Sequence, residues 1–359
     1  MPRAGVSAAR RIVVKIGSRT IASDPDVVVR LANGIADAKK KGKSCIIVSS
    51  GAIALGTKKL GFRTRPREMA KLQAAAAAGQ SVLVRQYETA FAALGIPVAQ
   101  VLLTHADLAD RTRANNARAA LEALLEAGAV PVLNENDSVA VEEIKFGDND
   151  QLAAMVTSLV GADLLVLLSD VEGLLDSSGK CIRYLEDASK AFEHVRASKS
   201  DVGTGGMASK VEAARRATLA GAHVVLASAT QEHVLEDAFA GVEVGTHFFA
   251  ARERLTAKKH WIAFTLRPRG DIVLDAGAVD AVRGKGKSVL AVGVLGVRGD
   301  FRAGDAVRIV DPTGTEIGRG LAGTSVADAA RLAGHRRDAK EQVEEIVHRD
   351  DLVVWKPAT

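Results

Sequence analysis

Six short polar runs in this chain could do chemistry. Lys15 is followed by Gly17-Ser18, and Ser49-Ser50-Gly51-Ala52 comes next. Asn134-Glu135-Asn136-Asp137, Gly147-Asp148-Asn149-Asp150 and Ser169-Asp170 follow, and Thr204-Gly205-Gly206-Met207-Ala208-Ser209-Lys210 is the last. Small residues at such positions let backbone N–H groups approach phosphate or carboxylate oxygens. Lys15 and Lys210 supply cations, and Asp150 could hold both ammonium groups in place. The remaining carboxylates and amides suit a zwitterionic substrate. These types fit phosphoryl transfer, which needs cations around the migrating group, in-line positioning and usually magnesium. Each run alone could be ordinary capping or turn chemistry. Convergence of all six on one sheet edge would separate chemistry from punctuation.

That convergence depends on the elements. Apolar runs predict strands over 11–16, 44–49, 98–103, 130–133, 163–168 and 223–227. Helical spacing predicts helices over 27–40, 67–93, 115–126, 151–160 and 207–220. Alternation of this kind indicates an α/β domain, a mostly parallel sheet covered on both faces in three αβα layers. In an open α/β sheet, ligands bind beyond the carboxyl ends of the strands. Nearly every polar run above follows a predicted strand or opens a predicted helix.

After about Lys258 the helical periodicity fades. Short strand candidates appear at 271–274, 288–295, 306–310 and 346–348, punctuated by Gly293, Gly296, Gly299, Gly304, Gly314, Gly318 and Gly320. This reads as a small β-rich domain. The polar stretch after Ala251 places the boundary near 252–262, giving domains of 1–257 and 258–359.

Several motifs carry less than they promise. Arg283-Gly-Lys-Gly-Lys-Ser288 ends like a P-loop, but its required first glycine position is Ala281, and no helix is predicted after it. Gly203-Thr-Gly-Gly-Met-Ala208 follows a polar segment and not a strand, so the dinucleotide fingerprint does not apply. His348-Arg349-Asp350 lacks the partnered asparagine and Gly-rich loop of a protein kinase. Two cysteines and scattered histidines give no zinc spacing, so no protein-held metal site is expected.

Bulk properties set the outer limits. The 359 residues exceed one hydrophobic core. Apolar residues make up 47% and charged residues 25%, an ordinary soluble composition. No run approaches the ~20 apolar residues of a membrane helix, and no signal peptide is read. Cys45 and Cys181 are the only cysteines, which points to a reducing cytoplasm. A net charge of +5 suits anionic small substrates and leaves nucleic acid open. Residues 265–359 hold 15 Lys/Arg against 14 Asp/Glu, so the C-terminal part is not a basic module.

At these residues the sequence resembles the amino-acid kinase family, in its glutamate 5-kinase branch with a C-terminal PUA domain. The resemblance rests on Val13-Val-Lys-Ile-Gly-Ser18, Val48-Ser-Ser-Gly-Ala-Ile-Ala54, Val132-Leu-Asn-Glu-Asn-Asp137, Phe146-Gly-Asp-Asn-Asp150 and Gly203-Thr-Gly-Gly-Met-Ala-Ser-Lys210. Gly299-Asp-Phe-Arg-Ala-Gly-Asp305 and Val347-His-Arg-Asp-Asp351 extend it through the C-terminal part. Arg19 stands where the family often has a second small hydroxyl residue.

The resemblance implies roles. Lys15 and Lys210 would contact the phosphates and the transferring group, with Asp150 organising both. Ser50, Gly51, Ala52, Asn134, Asp137, Asp148 and Asn149 would bind glutamate. Gly17, Ser18, Ser169, Asp170 and the run Thr204, Gly205, Gly206, Met207, Ala208, Ser209 and Lys210 would bind the nucleotide. The implied reaction is ATP plus L-glutamate giving ADP and γ-glutamyl phosphate, with Mg2+ on the ATP, as the first step toward proline. Acetylglutamate lacks a free ammonium group, so Asp137 and Asp148 argue against it as substrate. Proline as a feedback inhibitor, a homo-oligomer and an RNA contact through the PUA domain are further expectations; a membrane is not.

Overall fold

Strand β1, Arg11–Ile16, has every residue buried except Arg11, as expected of a central strand covered on both faces. The structure is a computed structural model that describes residues 3–139, 149–197, 206–335 and 345–355. It divides into two compact units, Met1–Arg254 and Leu255–Thr359.

In the first unit, β1 is followed by helices α1 (Ser18–Ser23) and α2 (Val27–Lys40), strand β2 (Ser44–Ser49), and helices α3 (Ala52–Lys59) and α4 (Met69–Ala92). Then come β3 (Val98–Leu103), α5 (Arg111–Glu126), β4 (Val130–Glu135), α6 (Asn149–Leu159), β5 (Leu164–Ser169) and β6 (Tyr184–Leu185). Helix α7 (Met207–Leu219), β7 (His223–Ser228), α8 (Val234–Ala240) and β8 (Thr246–Phe248) complete it. The strands form one sheet in the order β3-β4-β2-β1-β5-β7-β8-β6, parallel throughout except between β7 and β8.

Alternate side chains of β1 feed two cores. Ile12, Val14 and Ile16 pack with α2, α4 and α8. Val13 lies with α5, α6 and α7 on the other face. Burying each such aliphatic side chain contributes roughly 1.5–3 kcal/mol. The period of two then decides where Lys15 goes. It shares the face of Val13, and so meets α6 and α7 at the carboxyl end of the strand. Beside it the chain turns to β2 on one side and returns as β5 on the other, which is the switch point where such sheets bind ligands.

In the second unit, β9 (Gly270–Leu274), α9 (Ala276–Lys285), β10 (Val289–Leu290), β11 (Val294–Gly299), β12 (Ala306–Val310) and β13 (Glu316–Leu321) are followed by α10 (Val326–Leu332), β14 (Glu345–Val347) and β15 (Leu352–Val354). Five strands form a sheet in the order β11-β9-β12-β13-β15, and β10 pairs with β14. Two expectations need correction. Helices α9 and α10 were hidden because they bury few residues, Val279 and Val282 in one and Ala329 in the other. Their signals were the caps: Asp275 accepts from the Ala278 N–H and Ser325 from the Asp328 N–H. Gly318 and Gly320, read as turn punctuation, lie inside β13. A Cβ there would stand 2.3 Å from the Val353 carbonyl oxygen and 2.4 Å from a Val347 methyl. The P-loop look-alike starts in the last turn of α9, so it presents a helix C-terminus and not the N-terminus a phosphate needs.

A histidine pair, with His247 fully buried and His223 half-buried, gives the first unit an acid-sensitive seam. His247 Nε2 lies 3.0 Å from His223 Nδ1, and the His247 ring stacks on Phe249 at 4.4 Å. Burial, with His223 and Arg3 nearby, pushes the His247 imidazole down to about 3; burial lowers His223 also. A depressed folded value means stability is complete above the unfolded value of ~6.5 and is lost as pH falls toward 3. Unfolding free energy should therefore drop more steeply between pH 6.5 and 4 in the native protein than in His247→Phe. Equal slopes in denaturant titrations would remove His247 from that limb.

Candidate active site

The carboxylate of Asp150, in the first turn of α6, stands between two lysines. Its Oδ1 is 2.5 Å from Lys15 Nζ at the end of β1, and its Oδ2 is 3.0 Å from Lys210 Nζ in the first turn of α7. All three side chains are buried or nearly so, and Asp150 is 1% exposed. Burial alone would raise the Asp150 carboxyl, but the two ammonium groups overcome this and hold it below its ordinary value. The triad therefore carries a net single positive charge beneath a cavity. Gln151 adds a strut, its Nε2 donating to the Ser209 carbonyl at 3.1 Å and so tying α6 to the start of α7.

The cavity is about 440 Å³, within the ordinary range of small-molecule sites. Lys15, Lys210, Gly17, Ser18, Ser50, Gly51, Ala52, Asn134, Asp137, Asn149, Ser169 and Asp170 all line it. On one side Asn149 organises the amides and hydroxyls. Its Nδ2 lies 2.8 Å from Ser50 Oγ, 2.8 Å from Asn134 Oδ1 and 3.0 Å from the Ser49 carbonyl. Gly51 turns from β2 into α3 with φ +112°, a conformation that L side chains rarely adopt, and no side chain caps α3. The N–H groups of that first turn thus face the cavity edge without an internal partner. Asp137 lies past the end of β4, half-buried. On the other side, Ser169 Oγ donates to Asp170 Oδ1 at 3.0 Å, and Arg19 Nη1 to Asp170 Oδ2 at 3.2 Å.

A model of the amino acid kinase family matches residues 10–228. The chain belongs to the amino acid kinase family. A model of the PUA domain matches residues 270–343. Among curated relatives, glutamate 5-kinase of Geobacter metallireducens is 45% identical over 363 residues, spanning 96% of this chain and 97% of that one. Glutamate 5-kinase of Trichlorobacter lovleyi is 45% identical over 372 residues, spanning 99% of both. The solved N-acetylglutamate synthase from Neisseria gonorrhoeae, complexed with coenzyme A and L-arginine, superposes with a TM-score of 0.51 at 15% identity. It covers 77% of this chain and 67% of that one, and the likeness shows the fold alone.

The kinase-family residues named from sequence fall into three groups. Twelve line the cavity as described above, and Asp150 lies directly behind it. Gly206, Met207, Ala208 and Ser209 cap and begin α7, but of the described part of that run only Lys210 reaches the cavity lining. Asp148, Thr204 and Gly205 lie outside the described residues. Sequence reasoning named Arg19 and Glu135 without assigning them a role and did not single out the loop Arg63-Thr64-Arg65, and all of these line the cavity. Arginine at alternate positions 63, 65 and 67, just after the helix that opens on the site, was the available signal.

Among the described residues, no group of three or more His, Cys, Asp and Glu side chains is placed to hold a metal ion. Both Asp150 oxygens are taken by lysines. Among the described residues, no helix is long and apolar enough to cross a membrane.

Proposed function

We propose that this chain transfers the γ-phosphoryl group of ATP to the side-chain carboxylate of L-glutamate, giving ADP and γ-glutamyl phosphate, the first step toward proline. The observation that carries the reading is the buried Lys15–Asp150–Lys210 bridge beneath a cavity lined on one side by amides, hydroxyls and a carboxylate. The relatives matched end to end are named for this activity.

The chemistry follows from charge. A γ-carboxylate is ionised at pH 7, so no general base is needed. One of its oxygens forms the new bond to the γ-phosphorus while the bond to the β–γ bridging oxygen breaks, and that electron pair leaves with ADP. Lys15 and Lys210 stabilise the charge spread over the transferring oxygens. Asp150 fixes where their ammonium groups stand. ATP-using kinases need a divalent metal in general, and Mg2+ bound by the nucleotide would offset its phosphate charge. The donor set fits that arrangement better than a protein cage. In this reading Asp170 and Ser169, with Gly17 and Ser18, receive the nucleotide; Asp148, Thr204 and Gly205 join the substrate and nucleotide sets on sequence grounds.

The direct test uses purified protein, ATP and magnesium, with glutamate, acetylglutamate and aspartate compared. ADP release and hydroxylamine-trapped acyl phosphate should appear with glutamate. Turnover with acetylglutamate and not glutamate would overturn the reading.

Asp137 takes the substrate's α-ammonium group in this reading. Proline shares that cationic nitrogen and the α-carboxylate but has no side-chain carboxylate to phosphorylate, so it would act as a competitive inhibitor. Asp137→Ala should raise the glutamate KM about 10–100-fold, the equivalent of one charge-assisted bond of ~1.5–3 kcal/mol, and weaken proline in parallel. The ATP KM should stay nearly constant. Equal changes for both substrates would place Asp137 outside the amino-acid side.

The kinase part is assigned to residues 1–257 and the PUA part to 258–359, in a cytoplasmic homo-oligomer. RNA contact through the PUA part is the reading from another class. Its near-balanced charge weighs against it, and salt-dependent RNA retention would favour it.

A further inference from the structure

The turn that faces the substrate is pinned on both sides by one helix that never reaches the cavity. Tyr87 of α4 is fully buried, and its hydroxyl donates to Ser49 Oγ at 2.9 Å. Ser49 Oγ in turn donates to the Ser50 carbonyl at 3.1 Å. Ser50 carries the hydroxyl that meets Asn149 at the cavity wall. The chain Tyr87–Ser49–Ser50–Asn149 therefore runs from the helical layer into the site. Phe91, one turn on, is equally buried without a hydroxyl, so packing alone does not demand one at position 87.

The second anchor lies just past Gly51. Helices α3 and α4 cross backbone on backbone at Gly56 and Gly79. A Cβ on Gly79 would stand 1.7 Å from the Ala52 carbonyl oxygen, and one on Gly56 would stand 1.7 Å from the Ala75 carbonyl oxygen. Ala52 is the first residue of α3 and lines the cavity. So α4 fixes the last residue of β2 through Tyr87 and the first residue of α3 through Gly79. Between them sits the left-handed Gly51, at the head of the uncapped first turn of α3.

We propose that Tyr87 and Gly79 are positioning residues for the amino-acid side of the site, holding the Ser50–Ala52 turn at the height a substrate carboxylate requires. This rests on the glutamate reading above. Neither residue lines the cavity, and both act through the turn.

The test is steady-state kinetics on the full chain with glutamate and ATP varied separately. Tyr87→Phe keeps the ring and removes only the hydroxyl. It should raise the glutamate KM about 3–10-fold, the range of one buried hydrogen bond. The ATP KM and kcat should stay within about twofold. Ser49→Ala should do the same, and the double variant should add nothing further, because both cut one chain. Gly79→Ala should give a larger split in the same direction; should it fail to fold, the Tyr87 and Ser49 variants still decide. Equal shifts of both KM values, additive Tyr87 and Ser49 effects, or an unchanged glutamate KM would overturn the proposal. Native protein that does not turn over glutamate would instead overturn the reading it rests on, and that outcome is scored before any variant is made.

Discussion

Lys15→Met and Lys210→Met should each lower turnover about 100–1000-fold, the usual cost of losing one preorganised charge donor, while the fold survives nearly intact. Methionine keeps most of the apolar stem and deletes the ammonium group. The stability half follows from counting charge. The native triad holds two ammonium groups and one carboxylate. Removing one lysine leaves a balanced buried pair, so no lone charge is stranded. The two variants should differ in detail. Lys15 sits rigidly on a central strand, whereas Lys210 sits in the first turn of α7. Steady-state rates with thermal melts on the same samples check both halves. Activity within a few-fold of native in either variant would remove that lysine from the mechanism, and a melt lowered by tens of degrees would show the loss to be one of folding.

How far the site was legible depends on the range of the forces that build it. The strand ends were readable because a fully covered parallel strand is a short apolar run, and its first polar neighbours mark the carboxyl edge. Lys15 illustrates this: the alternation of Val13, Val14 and Lys15 fixes its face before any tertiary contact is known. Asp150 and Lys210 were readable as helix starts, though their meeting with Lys15 across 135 and 195 residues was inferred from chemistry and resemblance and not from periodicity. What escaped was packing. Nothing local distinguishes Tyr87 from any other aromatic on an Ala-rich helix, or Gly79 from a chance glycine. Their roles exist only once α3 lies across α4. The helices of the second unit escaped for a related reason. They bury so little that the 3.6 period is faint, and Gly318 and Gly320 serve close strand contact where turns were expected.

Asp150→Asn should be the more damaging change, because it raises the net charge of the triad from one positive charge to two. An asparagine can accept from one lysine through its carbonyl but turns an N–H toward the other, donor against donor. Two buried ammonium groups then lose the carboxylate that stands between them. Leaving a buried charge unpaired in this way costs about 3–5 kcal/mol, a large share of a typical domain's stability. Turnover should fall with it, since neither lysine keeps its place. Two further results separate electrostatics from packing. The double variant Lys15→Met/Asp150→Asn should recover part of the lost stability, since only one ammonium group then lacks the Asp150 carboxylate, and none of the activity. Excess ATP should stabilise Asp150→Asn more than it stabilises the native protein, because a polyanion supplies the missing negative charge and binds only the folded form. Acid gives an independent check. The Asp150 carboxyl is held below its ordinary value, so its stabilising contribution is complete above the unfolded value of ~3.9 and is lost as pH falls through the lower folded value. The stability gap between native protein and Asp150→Asn should therefore be constant from pH 8 to about 5 and close only in stronger acid. A gap that closes near neutrality, or a double variant no more stable than Asp150→Asn, would mean that Asp150 is held by packing and not by its two lysines.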